Sequence, residues 1–203
     1  MIEKTTKNGV LQITIDRQDK ANSLTEAMLQ EISDAIETAS GDTRALVLSA
    51  KGKVFSAGAD LQEVKSGLAV SPAWEQLSST IAAFEGLSVA ALNGTLAGGA
   101  FGMVLACDLR VAVDGAKFFY PVVKMGVLPQ PSDPGRLAKL VGPARAKMLL
   151  VAGQKIDAET ALGWGLVDQV CAADDLPAVV SDLIEPALQA QPDHVARIKR
   201  MVP

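Results

Sequence analysis

Ten residues near the middle of the chain, Asn93-Gly94-Thr95-Leu96-Ala97-Gly98-Gly99-Ala100-Phe101-Gly102, lie between the apolar run Val89 to Leu92 and the apolar stretch Met103 to Cys107. The order is that of a strand, a glycine turn and the start of a helix. Asn93-Gly94 breaks the strand, and Gly98-Gly99 lets main chain approach a neighbour with no Cβ in the way. A helix that begins near Gly99 leaves its first N–H groups without intrahelical partners, at the positive end of the helix dipole. Such a place suits an anion, or an oxygen that gains charge during a reaction. Close packing of a glycine-rich helix on a sheet accounts for this stretch equally well.

A second segment breaks the tie. Leu46-Val47-Leu48-Ser49 reads as a buried strand, followed after a short loop by Val54-Phe55-Ser56-Ala57-Gly58-Ala59-Asp60-Leu61. Two such turns, each following a strand, could aim one N–H apiece at a single oxygen. A dinucleotide site competes, since it uses the order strand, glycine turn, helix, strand. Its spacing fails here: Ala97 stands where GxGxxG needs its first glycine, and Asp114 follows the turn sooner than the usual ~20 residues. With one histidine there is no Ser/His/Asp or Cys/His arrangement near the glycine turns, and no GxSxG, HExxH, Cys/His cluster or GxxxxGK[ST] is present.

The elements that must hold these turns can be read in order. Glu3 to Thr6 and Val10 to Ile15 flank Lys7-Asn8-Gly9 and predict a hairpin. Ser23-Leu24-Thr25-Glu26 has capping-box spacing, followed by Met28, Ile32, Ala35, Ile36 and Ala39 at helical spacing, with Gly41 as the stop. Arg44 to Ala50 is a strand. Ser71-Pro72 opens a helix whose Trp74, Leu77, Ile81 and Phe84 line one face, an aromatic and aliphatic stripe of the kind that builds a core. Leu109 to Val113 and Lys117 to Tyr120 are further strands, and Asp133-Pro134 reads as an N-cap with proline at the first helical position. Helices follow at Gly135 to Leu140, at Ala144 to Ala152 and from a cap at Asp157, then at Leu176 to Ala190 and Asp193 to Met201. The recurrence of strands and helices predicts an α/β fold in one domain over residues 1–203, with C-terminal helices from about residue 174.

Composition agrees with an ordinary globular chain: 203 residues, 49% hydrophobic and 21% charged. A net charge of −4 argues against a general nucleic-acid binder. Cys107 and Cys171 have neither zinc spacing nor a disulfide framework and read as reduced thiols. The N-terminus lacks a long apolar segment of the secretory type, and the uncharged stretch from Gly86 to Cys107 fits strand, turn and helix better than a membrane span. The expectation is a soluble, cytoplasmic protein.

The segments FSAGADL (55–61) and NGTLAGGAFG (93–102), with ACDLR (106–110) behind them, resemble the enoyl-CoA hydratase/isomerase family of the crotonase superfamily. The likeness continues through Lys117-Phe118, Pro121 and Lys124-Met125-Gly126 to Arg136-Leu137 and Leu140-Val141-Gly142. It extends to Ile156-Asp157-Ala158-Glu159-Thr160-Ala161 and Gly165-Leu166-Val167, nearly the whole chain in order. The resemblance implies a spiral of repeated ββα units, although no sequence repeat is visible. It also implies assembly as a homo-oligomer, a trimer or a hexamer made of two trimers. Family members normally continue into further helices that pack in the trimer and cover the acyl group, so the tail reads as shortened.

The same resemblance implies an acyl-CoA thioester as substrate and no separate cofactor or metal, coenzyme A being part of the substrate. Two backbone N–H groups of the family hold the thioester oxygen and stabilise its enolate; carried over, they fall on Ala59 and Gly99. The substrate-binding positions carried with them are Ala21, Ala57, Gly58, Ala59, Asp60, Leu61, Gln62, Leu96, Gly98 and Gly99. Many relatives have a basic residue where this chain has Gln62, leaving Arg17, Lys20 and Lys65 as candidate phosphate contacts. Family hydratases use two glutamates to move water and protons, and those positions are Gly102 and Val122 here, neither of which can carry a proton. Chemistry of the isomerase or decarboxylase type is therefore at least as well supported as hydration, and a binder without catalysis is the alternative.

The remaining ionisable candidates are Asp133, which could instead cap the helix that follows it, and Tyr120, which could be a buried structural phenol. Asp60 is expected to bond its own loop, Asp108 to pair with Arg110, and His194 to lie on the surface.

Overall fold

A computed structural model describes residues 1–202 of the chain; Pro203, the last residue of the expected domain, lies outside them. The strands are β1 (Ile2–Lys7), β2 (Val10–Ile15), β3 (Ala45–Ala50), β4 (Val54–Ser56), β5 (Leu87–Leu92), β6 (Thr95–Ala97), β7 (Leu109–Val113), β8 (Lys117–Phe119), β9 (Lys155–Asp157) and β10 (Gln169–Cys171). The α-helices are α1 (Glu26–Glu37), α2 (Leu61–Val64), α3 (Ala73–Ala83), α4 (Phe101–Leu105), α5 (Val122–Met125), α6 (Asp133–Val141), α7 (Pro143–Leu150), α8 (Ala158–Trp164), α9 (Leu176–Gln189) and α10 (Pro192–Met201).

The strands form two sheets, one in the order β1-β2-β3-β5-β7-β10 and one in the order β4-β6-β8-β9. Successive pairs β3/β4, β5/β6 and β7/β8 each place one strand in the first sheet and the next in the second, and a helix follows each pair. This is the ββα repeat in three dimensions, and each turn of it adds a parallel neighbour to both sheets. The opening hairpin is antiparallel from Ile2↔Ile15 to Lys7↔Val10, turning on Asn8 and Gly9 at φ 52° and 79°. Left-handed conformations suit those two residue types.

The inner strands are apolar because both faces are covered. Ala45, Leu46, Val47 and Leu48 of β3 are all buried, as are Val89 to Leu92 of β5. Helix α1 buries Met28, Leu29, Ile32 and Ile36 on one face. Its cap is Thr25, whose Oγ1 accepts the Met28 N–H at 3.2 Å, and not the expected Ser23. Ser23 precedes the helix, and its backbone and hydroxyl oxygens accept from Arg17 Nη1. The expected pair of Asp108 with Arg110 joins through the main chain, Arg110 Nη2 donating to the Asp108 carbonyl at 3.2 Å, and the two charges pair elsewhere. Asp108 accepts from Ser88 and Lys199 Nζ, and the buried Arg110 pairs with Asp168 at 3.0 Å.

Both cysteines are free thiols, and burial pushes the Cys107 thiol up to about 12. Among the described residues no helix is long and apolar enough to cross a membrane; the uncharged stretch after Gly86 supplies β5, β6 and α4. His194 is exposed on α10.

Candidate active site

The two glycine segments meet. A Cβ on Gly58 would lie 2.9 Å from Ala97 O and 3.2 Å from Gly99 N, and Gly58 sits at φ 91°. Only glycine allows that approach without strain. On the first segment, Leu24 N–H donates to Gly58 O at 2.7 Å and Asp60 N–H donates to Leu24 O at 2.8 Å. In a parallel bridge the residue between two bonded neighbours turns its own N–H and C=O the other way, and here that residue is Ala59.

On the second segment, a short 3-10 turn over Gly98–Ala100 runs directly into α4. Gly99 precedes the first amide that the turn can satisfy, which is the expected state of a helix start. Among the described residues, neither the Ala59 N–H nor the Gly99 N–H has a hydrogen-bond acceptor. Both residues line one cavity of about 150 Å³, together with Ala57, Trp74, Tyr120 and Val122.

Gly99 is glycine for a local reason. A Cβ there would meet the Trp74 ring at 3.2 to 3.3 Å, and the ring is fixed by its Nε1–H donating to Leu68 O at 2.9 Å. The stripe on α3 that reads as core in the sequence is core, but its tryptophan is also a wall of the cavity. No periodicity could separate the two roles, because both require the same inward face of the helix.

The ionisable candidates come together as well. Tyr120 and Asp133 are both buried, and the Tyr120 Oη–H donates to Asp133 Oδ2 at 2.7 Å. The Tyr120 ring stacks on Phe101, with centroids 5.1 Å apart. Asp133 is the first residue of α6 and does not cap it; the residue at the cap is Ser132. Asp133 Oδ1 is buried and has no hydrogen-bond partner among the described residues. A Cβ on Gly102 would stand 3.0 Å from that oxygen, so the carboxyl group fills the direction in which a side chain at Gly102 would extend.

Burial pushes the Asp133 carboxyl up to about 6, against the lowering effects of the Tyr120 hydrogen bond and of Arg136, with Glu75 adding to the rise. Burial, followed by the charge and hydrogen bond of Asp133, raises the Tyr120 phenol well above its ordinary range. Tyrosinate therefore does not accumulate at neutral pH. Tyr120 lines the cavity, and Asp133 lies behind it.

The other anticipated positions divide by role. Ala57, Leu61 and Gly98 line the cavity alongside Ala59 and Gly99. Gly58 backs it, and Ala21 steadies it from outside through the Ala57 N–H to Ala21 O bond of 3.0 Å. Leu96 is buried in β6, and Gln62 is exposed on α2. Asp60 caps α2 by accepting from Gln62 N and Glu63 N, and pairs with Arg17 at 2.7 Å. The Arg17 guanidinium holds the Asp60 carboxyl below the usual range, so it remains ionised. Arg17 is thus largely committed, whereas Lys20 and Lys65 are exposed near the same loop. Two larger grooves, of about 520 and 830 Å³, lie where the end of α3 faces α10; neither contains Ala59, Gly99 or Tyr120.

Residues 5–203 match the family model described as enoyl-CoA hydratase/isomerase. The chain is 36% identical over 170 residues to a probable enoyl-CoA hydratase echA8 of Mycobacterium leprae, an alignment covering 81% of this chain and 66% of that protein. It is 33% identical over 203 residues to 4-chlorobenzoyl coenzyme A dehalogenase-2 of an Arthrobacter species, covering 93% of this chain and 72% of that one. A crystal structure of enoyl-CoA hydratase/isomerase from Pseudoalteromonas atlantica superposes with a TM-score of 0.92 at 30% identity, over 99% of this chain and 82% of that one. The chain thus spans about two thirds to four fifths of the length of these three proteins. With the ββα winding and the two facing turns, these matches establish that the chain belongs to the enoyl-CoA hydratase/isomerase family, within the crotonase superfamily.

Proposed function

We propose that the protein moves a proton at the α-carbon of a neutral acyl-CoA thioester and shifts a double bond into conjugation, with Ala59 and Gly99 as the oxyanion donors and Tyr120 and Asp133 as the proton carriers. The single observation that carries the proposal is that Ala59 and Gly99, whose amides have no acceptor among the described residues, line one cavity with Tyr120, whose phenol is bonded to the protonatable Asp133 carboxyl group.

The step is balanced within these groups. Tyr120 Oη takes the α-proton of a 3-enoyl thioester as its own phenolic proton passes to Asp133 Oδ2. The C–H electron pair becomes the α-carbon to carbonyl-carbon double bond, and the carbonyl electrons move onto the oxygen held by the two amides. Asp133 then returns its proton to Tyr120 as Tyr120 protonates the γ-carbon, and the oxygen's charge collapses to leave the α,β-double bond. A proton carrier near its working pH serves both directions, and Asp133 meets that condition. Removal of one such amide donor costs roughly 3 to 4 kcal/mol of barrier in enzymes of this kind.

Water addition is disfavoured because Gly102 and Val122 supply no second proton group. The side chains lining the cavity are uncharged. A carboxylate-bearing acyl group would bring a second negative charge toward Asp133 with no cation among the residues lining the cavity, which favours a neutral acyl chain over decarboxylation. Coenzyme A enters as part of the substrate, with the exposed Lys20 and Lys65 as candidates to meet its phosphates, and no further cofactor is required. A homo-oligomer, trimeric or hexameric, in the reducing environment of the cytoplasm suits the free thiols and the family.

But-3-enoyl-CoA is the test substrate: crotonyl-CoA should accumulate, with little 3-hydroxybutyryl-CoA. The other reading, a CoA-thioester binder without catalysis, predicts thermal stabilisation by acyl-CoAs and no product by mass spectrometry.

A further inference from the structure

Among the described residues, the buried carboxyl group of Asp133 has one partner, Tyr120, through Oδ2, and none through Oδ1. Its place is therefore fixed chiefly by the main chain that carries it. That main chain is the start of α6, where Ser132 occupies the cap position but makes no side-chain cap bond. Ser132 instead reaches across to α3. Its N–H and its hydroxyl donate to Glu75 Oε2 at 3.2 and 3.0 Å, and Arg136 Nη1 donates to Ser132 Oγ at 2.8 Å. The residue before Glu75 is Trp74, whose ring packs against Gly99. Consecutive side chains of one helix thus touch the two halves of the site.

We propose that Glu75 is a positioning residue of the proton-transfer pair, the α3 side chain that sets where Asp133 stands relative to the oxyanion amide of Gly99. The inference rests on Asp133 being the proton carrier. Proton transfer between oxygens is sensitive to displacements well below 1 Å, so a group that fixes the first turn of α6 acts on rate and not on substrate affinity. Glu75 also contributes charge. The ionisable groups facing Asp133 are Tyr120 from the segment after β8, Arg136 from α6 and Glu75 from α3; Arg136 favours the ionised carboxyl group, and Glu75 opposes it. That charge acts on Asp133 whether or not the bonds to Ser132 position it, so the positioning is read from kcat and the charge from the Asp133 midpoint.

The test compares Glu75→Gln, Glu75→Ala and Asp133→Asn in the full chain. The carboxyl group of Asp133 is titrated by 13C NMR, assigned by its loss in Asp133→Asn, and turnover of but-3-enoyl-CoA is measured beside it. Both Glu75 variants should lower the Asp133 midpoint, because the charge that opposes its ionisation is gone. Glu75→Ala, which loses both bonds to Ser132, should reduce kcat about tenfold or more with KM within about threefold. Glu75→Gln keeps an acceptor and should recover most of kcat. A kcat that stays put in Glu75→Ala, with only the melting temperature falling, would overturn the positioning role of Glu75 whatever the midpoint does. Unchanged turnover in Asp133→Asn would instead overturn the proton-carrier assignment. Glu75→Gln removes the charge and keeps an acceptor for Ser132, so its recovery of kcat beside the loss in Glu75→Ala decides the positioning role.

Discussion

Asp133 and Gly102 share one volume: the carboxylate oxygen of the first lies 3.0 Å from where the Cβ of the second would be. The family resemblance implies a glutamate of the hydratases at the position of Gly102. In this chain the acidic group arrives from α6 and uses the room that the glycine leaves.

Gly102→Ala tests that exchange. The added methyl group would stand 3.0 Å from a buried carboxylate oxygen, tighter than ordinary contact, and such overpacking typically costs about 1 to 3 kcal/mol. Turnover should fall about tenfold or more, and the Asp133 midpoint should move. Gly102→Glu should not create a hydratase, because it places a second carboxylate against Asp133; assays with but-3-enoyl-CoA and crotonyl-CoA check both variants.

Asp133→Asn should reduce turnover by about 10² to 10⁴ and change how stability depends on pH. The folded carboxyl group ionises at about 6 and the unfolded one at 3.8. Between those values the folded state holds the proton more tightly, so stability falls as pH rises through that window and stays lowered above it. The loss amounts to about 3 kcal/mol at most. Denaturant unfolding at pH 4 and pH 8 should show the asparagine variant gaining on the parent at the higher pH.

Tyr120→Phe keeps the stack on Phe101 and removes only the hydroxyl group. Turnover should fall about a hundredfold, while stability changes by about 1 kcal/mol. The carboxyl group of Asp133 loses the hydrogen bond that lowers it, so its midpoint should rise, as read by 13C titration.

Crotonyl-CoA incubated with the protein should give little 3-hydroxybutyryl-CoA. Efficient hydration would mean that a second proton group works in the cavity and that Tyr120 and Asp133 are misassigned.

The sequence made the two glycine turns legible because their residues are constrained by backbone alone. Gly58 must admit Ala97 O, and the start of α4 must leave an amide free, so residue type and order suffice. The hairpin, the inner strands and the helices follow from local patterns for the same reason. Long-range pairings were not legible. Arg110 with Asp168 and Asp108 with Lys199 depend on how distant segments dock, whereas sequence proximity suggests Asp108 with Arg110. Asp133 looks like a helix cap because Pro134 follows it. Only the fold reveals that the side chain turns inward to Tyr120, and that Glu75 holds the residue before it. The ββα winding also left no repeat in the residues, since each turn needs only apolar strands and small crossings.

The central claim is that the Ala59 and Gly99 amides together stabilise an enolate, and the most direct measurement is exchange of the α-hydrogens of butyryl-CoA in D2O, which isolates enolisation from any later step. Deuterium should enter the α-position with the parent protein. Gly99→Pro, which removes one donor, should slow that entry by about 10² to 10³. Exchange that proceeds undiminished in Gly99→Pro, with butyryl-CoA still bound, would contradict it.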